Sequence, residues 1–195
     1  ALIIGGFESA ADAACNLIKL GKKVTILCNN NPLNFKHLDP SEALSPYSKE
    51  RLMQILDSSP SMLDLHDNSN VVSVEKSTNS YIVKIATGEI FKSRSKPICA
   101  TGFHSALMPI KELWEWEDGV PKFTDDDQST LYDGLYYSGP SLIHRNSKFC
   151  FIYKFRGRFG VISRSISNRI GHNFMNTKEE KHLGFLIDDL ECCTK

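Results

Sequence analysis

The opening of the chain restricts its fold more than any other stretch. An apolar strand over Leu2–Ile4 is followed by a glycine turn and by a helix predicted over Ser9–Leu20. Gly21 ends this helix, and Val24–Cys28 predicts a second buried strand. Two strands joined by a helical crossover pair in parallel with a right-handed connection. The opening therefore predicts an α/β domain built on a parallel sheet.

The turn between strand and helix carries part of the dinucleotide-binding fingerprint G-x-G-x-x-G/A. Gly5 and Ala10 fill the first and third positions, and Phe7 stands where the second glycine belongs. Gly6 lies beside Phe7, so it is the substitute that would let a pyrophosphate approach the backbone. The pattern is incomplete but has the right spacing between a strand and a helix.

The start of the helix adds groups that attract phosphate. Backbone N–H groups from about Glu8 to Ala11 are expected to be free at the helix N-terminus, and the Ser9 hydroxyl adds a further donor. The stretch from Gly5 to Ala10 therefore predicts a nucleotide site. The alternative is an ordinary strand–turn–helix in which the glycines serve geometry alone.

The end of the second strand bears on which nucleotide binds. An acidic residue there favours NAD, whereas a nearby cation favours the 2′-phosphate of NADP. Cys28 and Asn29 stand at this place, and Lys36 follows in the loop. We include all three in the predicted cofactor site and favour NADP slightly over NAD. A solvated loop lysine is an equal alternative for Lys36.

The remainder of the first part continues the α/β pattern as far as Phe103. A polar loop is predicted over Asn29–Pro46 and a helix over Tyr47–Leu56. Short alternating segments then predict a three-stranded β-meander and one more strand, over Val71–Glu75, Tyr81–Ile85, Ile90–Lys92 and Ile98–Ala100.

After Phe103 the composition changes, so we place a domain boundary between residues 1–103 and 104–195. GLYYSGPS predicts a strand and a turn, residues 149–170 predict one long helix, and the tail predicts a short helix. On or near one face of the long helix we expect the apolar residues Phe149, Ile152, Tyr153, Phe159, Ile162 and Ile166.

Composition excludes several classes of function. The net charge is zero and 41% of residues are hydrophobic, so we expect neither nucleic acid nor membrane as a partner. The six cysteines lack metal-ligand spacing, and no metal site is predicted. We expect Cys15, Cys28, Cys99 and Cys150 to be buried, which is typical of a protein of the reducing cytoplasm.

Several stretches together resemble two-dinucleotide flavoproteins, that is, flavin-containing monooxygenase-like and pyridine nucleotide-disulfide oxidoreductase-like enzymes. They occur in the family's order: IIGGFESAADAA, LSPYSKERL, ICATGF, GPSLIHRNSKFCFIYKFRGRF and DDLECC. The IYKFRGRF segment and the paired terminal cysteines are the most specific of them.

The resemblance implies a Rossmann-like NAD(P)H-binding domain over 1–103, with an inserted β-meander, followed by the second half of an FAD-binding domain. Thr101 and Gly102 then lie in the crossover that returns to the FAD domain. Gly139, Pro140 and Ser141 form the turn that faces the flavin, with Pro140 replacing the family's aspartate. We expect FAD in a longer protein, of which this chain is the C-terminal portion. Alone, it is expected to be colourless and to self-associate.

The resemblance favours a monooxygenase-like oxidoreductase that acts on a small molecule. No catalytic residue is assigned. Lys154, Arg156 and Arg158 would meet phosphate or flavin, or would pair with acids such as those at 125–127. His144 and Arg145 are further candidates for cofactor contact.

Two other functions stay open. A disulfide reductase would use Cys192 and Cys193 as redox groups, because adjacent thiols exchange with a disulfide substrate. A non-catalytic module that binds NAD(P)H is the third hypothesis, since the chain carries one fingerprint and no complete flavin site.

Overall fold

A computed structural model describes residues 1–37, 42–145, 147–172 and 177–188. The chain divides into two compact units, Ala1–Phe103 and His104–Lys195. The first is a mixed α/β unit, and the second consists of short helices and hairpins.

The first unit is built on a four-stranded parallel sheet in the order β3-β2-β1-β7. Its strands are β1 (Leu2–Ile4), β2 (Val24–Leu27), β3 (Leu63–His66) and β7 (Ile98–Cys99). The predicted parallel pairing of the first two strands is confirmed, with Ile3 opposite Ile26. β3 has no counterpart among the predicted strands, because LDLH carries only two apolar residues.

Two helices cover one face of this sheet. α1 (Glu8–Lys19) and α2 (Pro46–Ser58) lie within two residues of their predicted bounds. Ala10 and Ala14 of α1 are fully buried, so the helix backbone packs close to the strands. Gly21 follows α1 with a φ of +72°, a conformation that glycine adopts without strain.

The predicted β-meander is confirmed, and it covers the other face. Its antiparallel strands are β4 (Val71–Lys76), β5 (Tyr81–Ile85) and β6 (Ile90–Ser93). Val83 and Ile85 of β5 pack against the alternate residues of β1 and β2 that point away from the helices. The sheet therefore has a helical layer on one side and a second sheet on the other.

The second unit contains no strand longer than two residues among those described. Residues 134–141 make a single bridge, from Tyr136 to Gln128, so the predicted strand in GLYYSGPS is wrong. The elements are a 3-10 helix (Met108–Leu113), β8 (Trp116–Glu117), β9 (Val120–Pro121), β10 (Ile143–His144), β11 (Ser147–Lys148), α3 (Ile152–Phe155), α4 (Phe159–Arg169) and α5 (Thr177–His182).

The predicted long helix is interrupted. A 3-10 turn over Arg156–Arg158 separates α3 from α4, because the segment near residue 186 packs directly against two glycines. Gly157 accepts a hydrogen bond from the Ile187 N–H (2.6 Å), and the Gly160 N–H donates to Phe185 (2.7 Å). A Cβ at Gly157 would lie 2.4 Å from the Ile187 side chain.

Most of the apolar residues named for this helix lie at the surface. Ile152, Tyr153, Phe159 and Ile166 are all exposed, at 68%, 59%, 39% and 42%, whereas Phe149 is buried and Ile162 is half-buried. Gly157 and Gly160 meet the tail segment through their backbones, and the ring of Phe159 stacks on Phe185 with centroids 6.4 Å apart.

For Arg158, the structure shows the ion-pairing alternative, with an acid of the 125–127 run as its partner. Its guanidinium is buried and donates to both carboxylate oxygens of Asp127, at 2.9 Å each. It also donates to the Asp125 and Ile187 carbonyls. His144 Nε2 lies 2.5 Å from the same Asp127 carboxylate, so His144 belongs to this buried network.

The cysteines differ from the expectation at two positions. Cys15 and Cys28 are buried as predicted, but Cys99 is exposed and Cys150 is half-buried. Cys99 lies in β7, which is the edge strand of the parallel sheet and has only two residues. Burial, with a further contribution from Asp67, raises the pKa of Cys28 to about 11.

This difference predicts selective thiol modification. A short pulse of iodoacetamide at about pH 8 should alkylate Cys99 and spare Cys15 and Cys28, because only an accessible thiolate reacts. Peptide mass spectrometry measures the extent at each position. In urea, all three should react at similar rates, which serves as the control. Alkylation of Cys28 as fast as Cys99 in the native protein would contradict the structure.

Candidate functional site

The glycine turn lies at the carboxyl edge of the parallel sheet, where the chain order of the strands reverses. β2 and β3 lie on one side of β1, and β7 lies on the other. Open α/β sheets bind ligands at such a switch point. The turn after β1 and the segment after β7 meet at this place.

Gly5 cannot be replaced without moving the backbone. It has a φ of +108°, and a Cβ would lie 2.1 Å from the Ala100 carbonyl oxygen. Its N–H donates to the Leu27 carbonyl at 2.8 Å. The turn is therefore fixed between β2 and β7, with Thr101 and Gly102 directly beyond Ala100 and both exposed.

Gly6 has a packing reason for being glycine. A Cβ there would lie 2.7 Å from Cys28 Cβ and 3.2 Å from its Sγ. The start of the turn therefore packs against Cys28, the residue that follows β2. The contribution of Gly6 to phosphate binding stays a prediction.

Phe7 brings the loop after β2 to the turn. Its carbonyl accepts the Ala11 N–H at 2.9 Å, which starts α1, and its ring contacts Phe35 edge-on at 5.6 Å. The exposed Lys36 follows Phe35, so the predicted cation lies next to a residue that packs on the turn. Ala10 lies in α1 and is buried, as the third position of the fingerprint requires.

Glu8 and Ser9 form the first turn of α1 and are both exposed. Ser9 projects from the helix start that we predict to meet phosphate. Glu8 accepts hydrogen bonds from the Ser45 N–H (2.5 Å) and the Ser48 hydroxyl (2.6 Å). Desolvation raises the pKa of Glu8, but the hydrogen bonds from Ser48 and Ser45 outweigh it and leave that pKa below its ordinary value.

The sequence pattern does not single out Asp67, which the structure places near the end of β2. The Ser69 N–H donates to Cys28 (2.9 Å) and the Asn68 N–H donates to Asn29 (3.1 Å), so the loop after β3 runs beside the loop after β2. An acidic residue therefore lies close to Cys28 after all. Only the unpredicted pairing of β3 with β2 brings it there.

The turn at Gly139–Pro140–Ser141 uses its own N–H groups. The Ser141 N–H donates to the Tyr137 hydroxyl (3.2 Å), and the Leu142 N–H donates to the Gly139 carbonyl (3.1 Å). The Ser141 hydroxyl pairs with that of Ser105 at 2.8 Å. Two amides of this turn therefore have partners within the turn itself, and its contact with a flavin stays a prediction.

Two features are absent from the described ranges, a metal site and a membrane-spanning helix. No group of three His, Cys, Asp or Glu side chains there is arranged to hold a metal ion. None of the described helices has the length and apolar character needed to cross a membrane. The redox candidates Cys192 and Cys193 lie outside the described residues.

Comparison with known proteins places these features in a family. A family model described as pyridine nucleotide-disulphide oxidoreductase matches residues 1–139. The bacilliredoxin reductase Bdr of Bacillus subtilis (strain 168) is 24% identical over 176 residues, which cover 88% of this chain and 51% of the relative.

Solved structures give the same fold. The bacillithiol disulfide reductase Bdr from Bacillus cereus has a TM-score of 0.62 at 21% identity, covering 86% of this chain and 49% of its own. The ornithine N-hydroxylase of Kutzneria sp. 744 has a TM-score of 0.63 at 15% identity, covering 87% of this chain and 54% of its own. This chain thus spans about half the length of these relatives. It belongs to the pyridine nucleotide-disulphide oxidoreductase family.

Proposed function

We propose that this chain holds the nicotinamide nucleotide of an FAD- and NAD(P)H-dependent oxidoreductase, in a Rossmann-like domain over residues 1–103. The observation that carries the proposal is the turn from Gly5 to Ala10 at the switch point of the parallel sheet. Two glycines there leave no room for a Cβ, and the N-terminus of α1 follows directly. Family membership supports the same assignment.

Each side of the proposed site has a distinct task. The helix start would bind the pyrophosphate through free N–H groups near Ser9. Cys28 and Asn29 directly follow β2, whose end faces the adenosine ribose in this type of site, and Lys36 lies further along the same loop. When bound, NAD(P)H supplies a hydride and FAD accepts it. We propose that FAD binds to the full-length protein, with residues 104–195 contributing the second half of its domain.

A charge placed at the helix start tests the pyrophosphate assignment. Ser9→Glu should weaken NADPH binding about tenfold, because a carboxylate in the first turn repels the pyrophosphate and occupies the positive end of the helix. Asn16→Glu puts the same charge on an exposed position near the other end of α1 and should leave the affinity within about twofold. Isothermal titration calorimetry measures both. Equal losses in the two variants would remove the assignment.

The choice between NADP and NAD depends on opposing charges near the end of β2. Lys36→Ala should weaken NADPH binding about tenfold and leave NADH unaffected, since a charged hydrogen bond to the 2′-phosphate is lost. Asp67→Asn should have the opposite effect and strengthen NADPH binding relative to NADH binding. Lys22→Ala, at the amino edge of the sheet, is the matched control. A parallel loss of both nucleotides in Lys36→Ala would contradict the role of Lys36.

Different observations support two candidate reactions, which differ in their electron acceptor. A monooxygenase-like reaction is our first proposal, because the sequence contains no C-x-x-C and one structural relative is an ornithine N-hydroxylase. Disulfide reduction is the second, because two relatives are disulfide or bacilliredoxin reductases and the chain carries Cys192 and Cys193. A non-catalytic NAD(P)H-binding module remains the third.

NADPH oxidation by the full-length protein with FAD separates these functions. We expect oxidation under oxygen that continues in the Cys192→Ser/Cys193→Ser variant. Oxidation that needs a low-molecular-weight disulfide and stops in this variant would instead establish the reductase. Binding of NADPH with no oxidation under either condition would favour the non-catalytic module. As the control, the flavin absorbance shows whether the double variant still carries bound FAD.

A further inference from the structure

Glu8 presents an electrostatic problem for the proposed nucleotide site. It lies in the first turn of α1, on the same turn of chain that is proposed to bind a pyrophosphate. A glutamate is ionised at neutral pH, and hydrogen bonds from Ser48 and Ser45, which outweigh desolvation, lower the pKa of this one further. An ionised carboxylate within a few ångströms of a phosphate costs binding energy unless another group engages it.

The start of α2 engages this carboxylate at both oxygens. One accepts the Ser45 N–H at 2.5 Å, and the other accepts the Ser48 hydroxyl at 2.6 Å. Ser45 is the N-cap of α2, and its own hydroxyl accepts the Ser48 N–H at 3.3 Å. Ser48 is buried, so its hydroxyl is held in place. Glu8 therefore occupies the anion-attracting end of α2.

A second contact continues this arrangement one turn further along α1. The Arg51 guanidinium donates to Asp12 at 2.9 Å. Both acidic side chains of α1 are thus bound by residues of α2, and Ser45, Ser48 and Arg51 all belong to the LSPYSKERL stretch. Hydrogen bonds to charged groups therefore join the IIGGFESAADAA and LSPYSKERL stretches.

We propose that Ser48 and the Ser45 N–H hold the Glu8 carboxylate away from the dinucleotide phosphates, so that Ser48 acts through Glu8 as a positioning residue of the nucleotide site. This inference rests on the proposed function. Ser48 makes no contact with the nucleotide in this arrangement. It acts by fixing where the negative charge of Glu8 lies.

A double-mutant cycle with NADPH as the probe tests the coupling. Ser48→Ala should weaken binding at least about fivefold, because the released carboxylate turns toward the phosphates. Glu8→Gln should bind more tightly than the wild type. In the Glu8→Gln background, Ser48→Ala should change the affinity less than about twofold. Ser58→Ala, the same replacement at the other end of α2, is the matched control.

Salt dependence separates charge from a purely structural role. Repulsion between Glu8 and the phosphates is screened, so the ratio of Ser48→Ala to wild-type dissociation constants should shrink as salt rises. Ser48→Thr keeps the hydroxyl and should restore binding. Ser48→Cys, a weaker donor of similar size, replaces Ser48→Ala if thermal unfolding shows that the alanine variant does not fold.

The outcomes distinguish the inference from the function beneath it. A wild-type chain that does not bind NADPH would overturn the proposed function. A wild type that binds, with equal losses on Ser48→Ala in both backgrounds or no loss in either, would overturn the inference alone and leave the nucleotide site standing.

Discussion

The contact between Gly5 and the Ala100 carbonyl is the constraint on which the first unit depends. A Cβ at Gly5 would lie 2.1 Å from that oxygen, so the turn after β1 and the chain after β7 approach as closely as backbones can. Because β7 pairs with β1 and β2 pairs with its other side, this contact lies at the switch point of the sheet. The contact between β1 and β7 therefore also fixes the turn proposed to bind the nucleotide.

The second unit is stabilised differently, because its described strands are too short to build a large sheet. Asp127 is fully buried and receives both the Arg158 guanidinium and His144. Removing one partner of such a buried group costs about 3–5 kcal/mol, since the other charge is left without compensation. Of the cationic residues that the sequence offers for contact with a phosphate or flavin, Arg158 is therefore buried and bound to Asp127.

Charge also organises the proposed nucleotide site. The start of α2 binds the acidic residues of α1, the loop after β2 carries Lys36, and the loop after β3 brings Asp67 beside Cys28. In the proposed site, the affinity for a dinucleotide would depend on where a few charges are held, in addition to the glycine turn. This is consistent with a fingerprint that lacks its second glycine.

The sequence by itself determined the parallel β1–β2 pair, both helices of the first unit and the meander, because each depends on local periodicity and on turn residues near in the chain. The same local signal located the turn from Gly5 to Ala10. Tertiary structure decided the rest. β3 needs β2 as a partner, Asp67 reaches Cys28 only through that pairing, and the helix near Gly157 breaks because Ile187 packs against it. These features depend on contacts between residues distant in sequence, which no local pattern records.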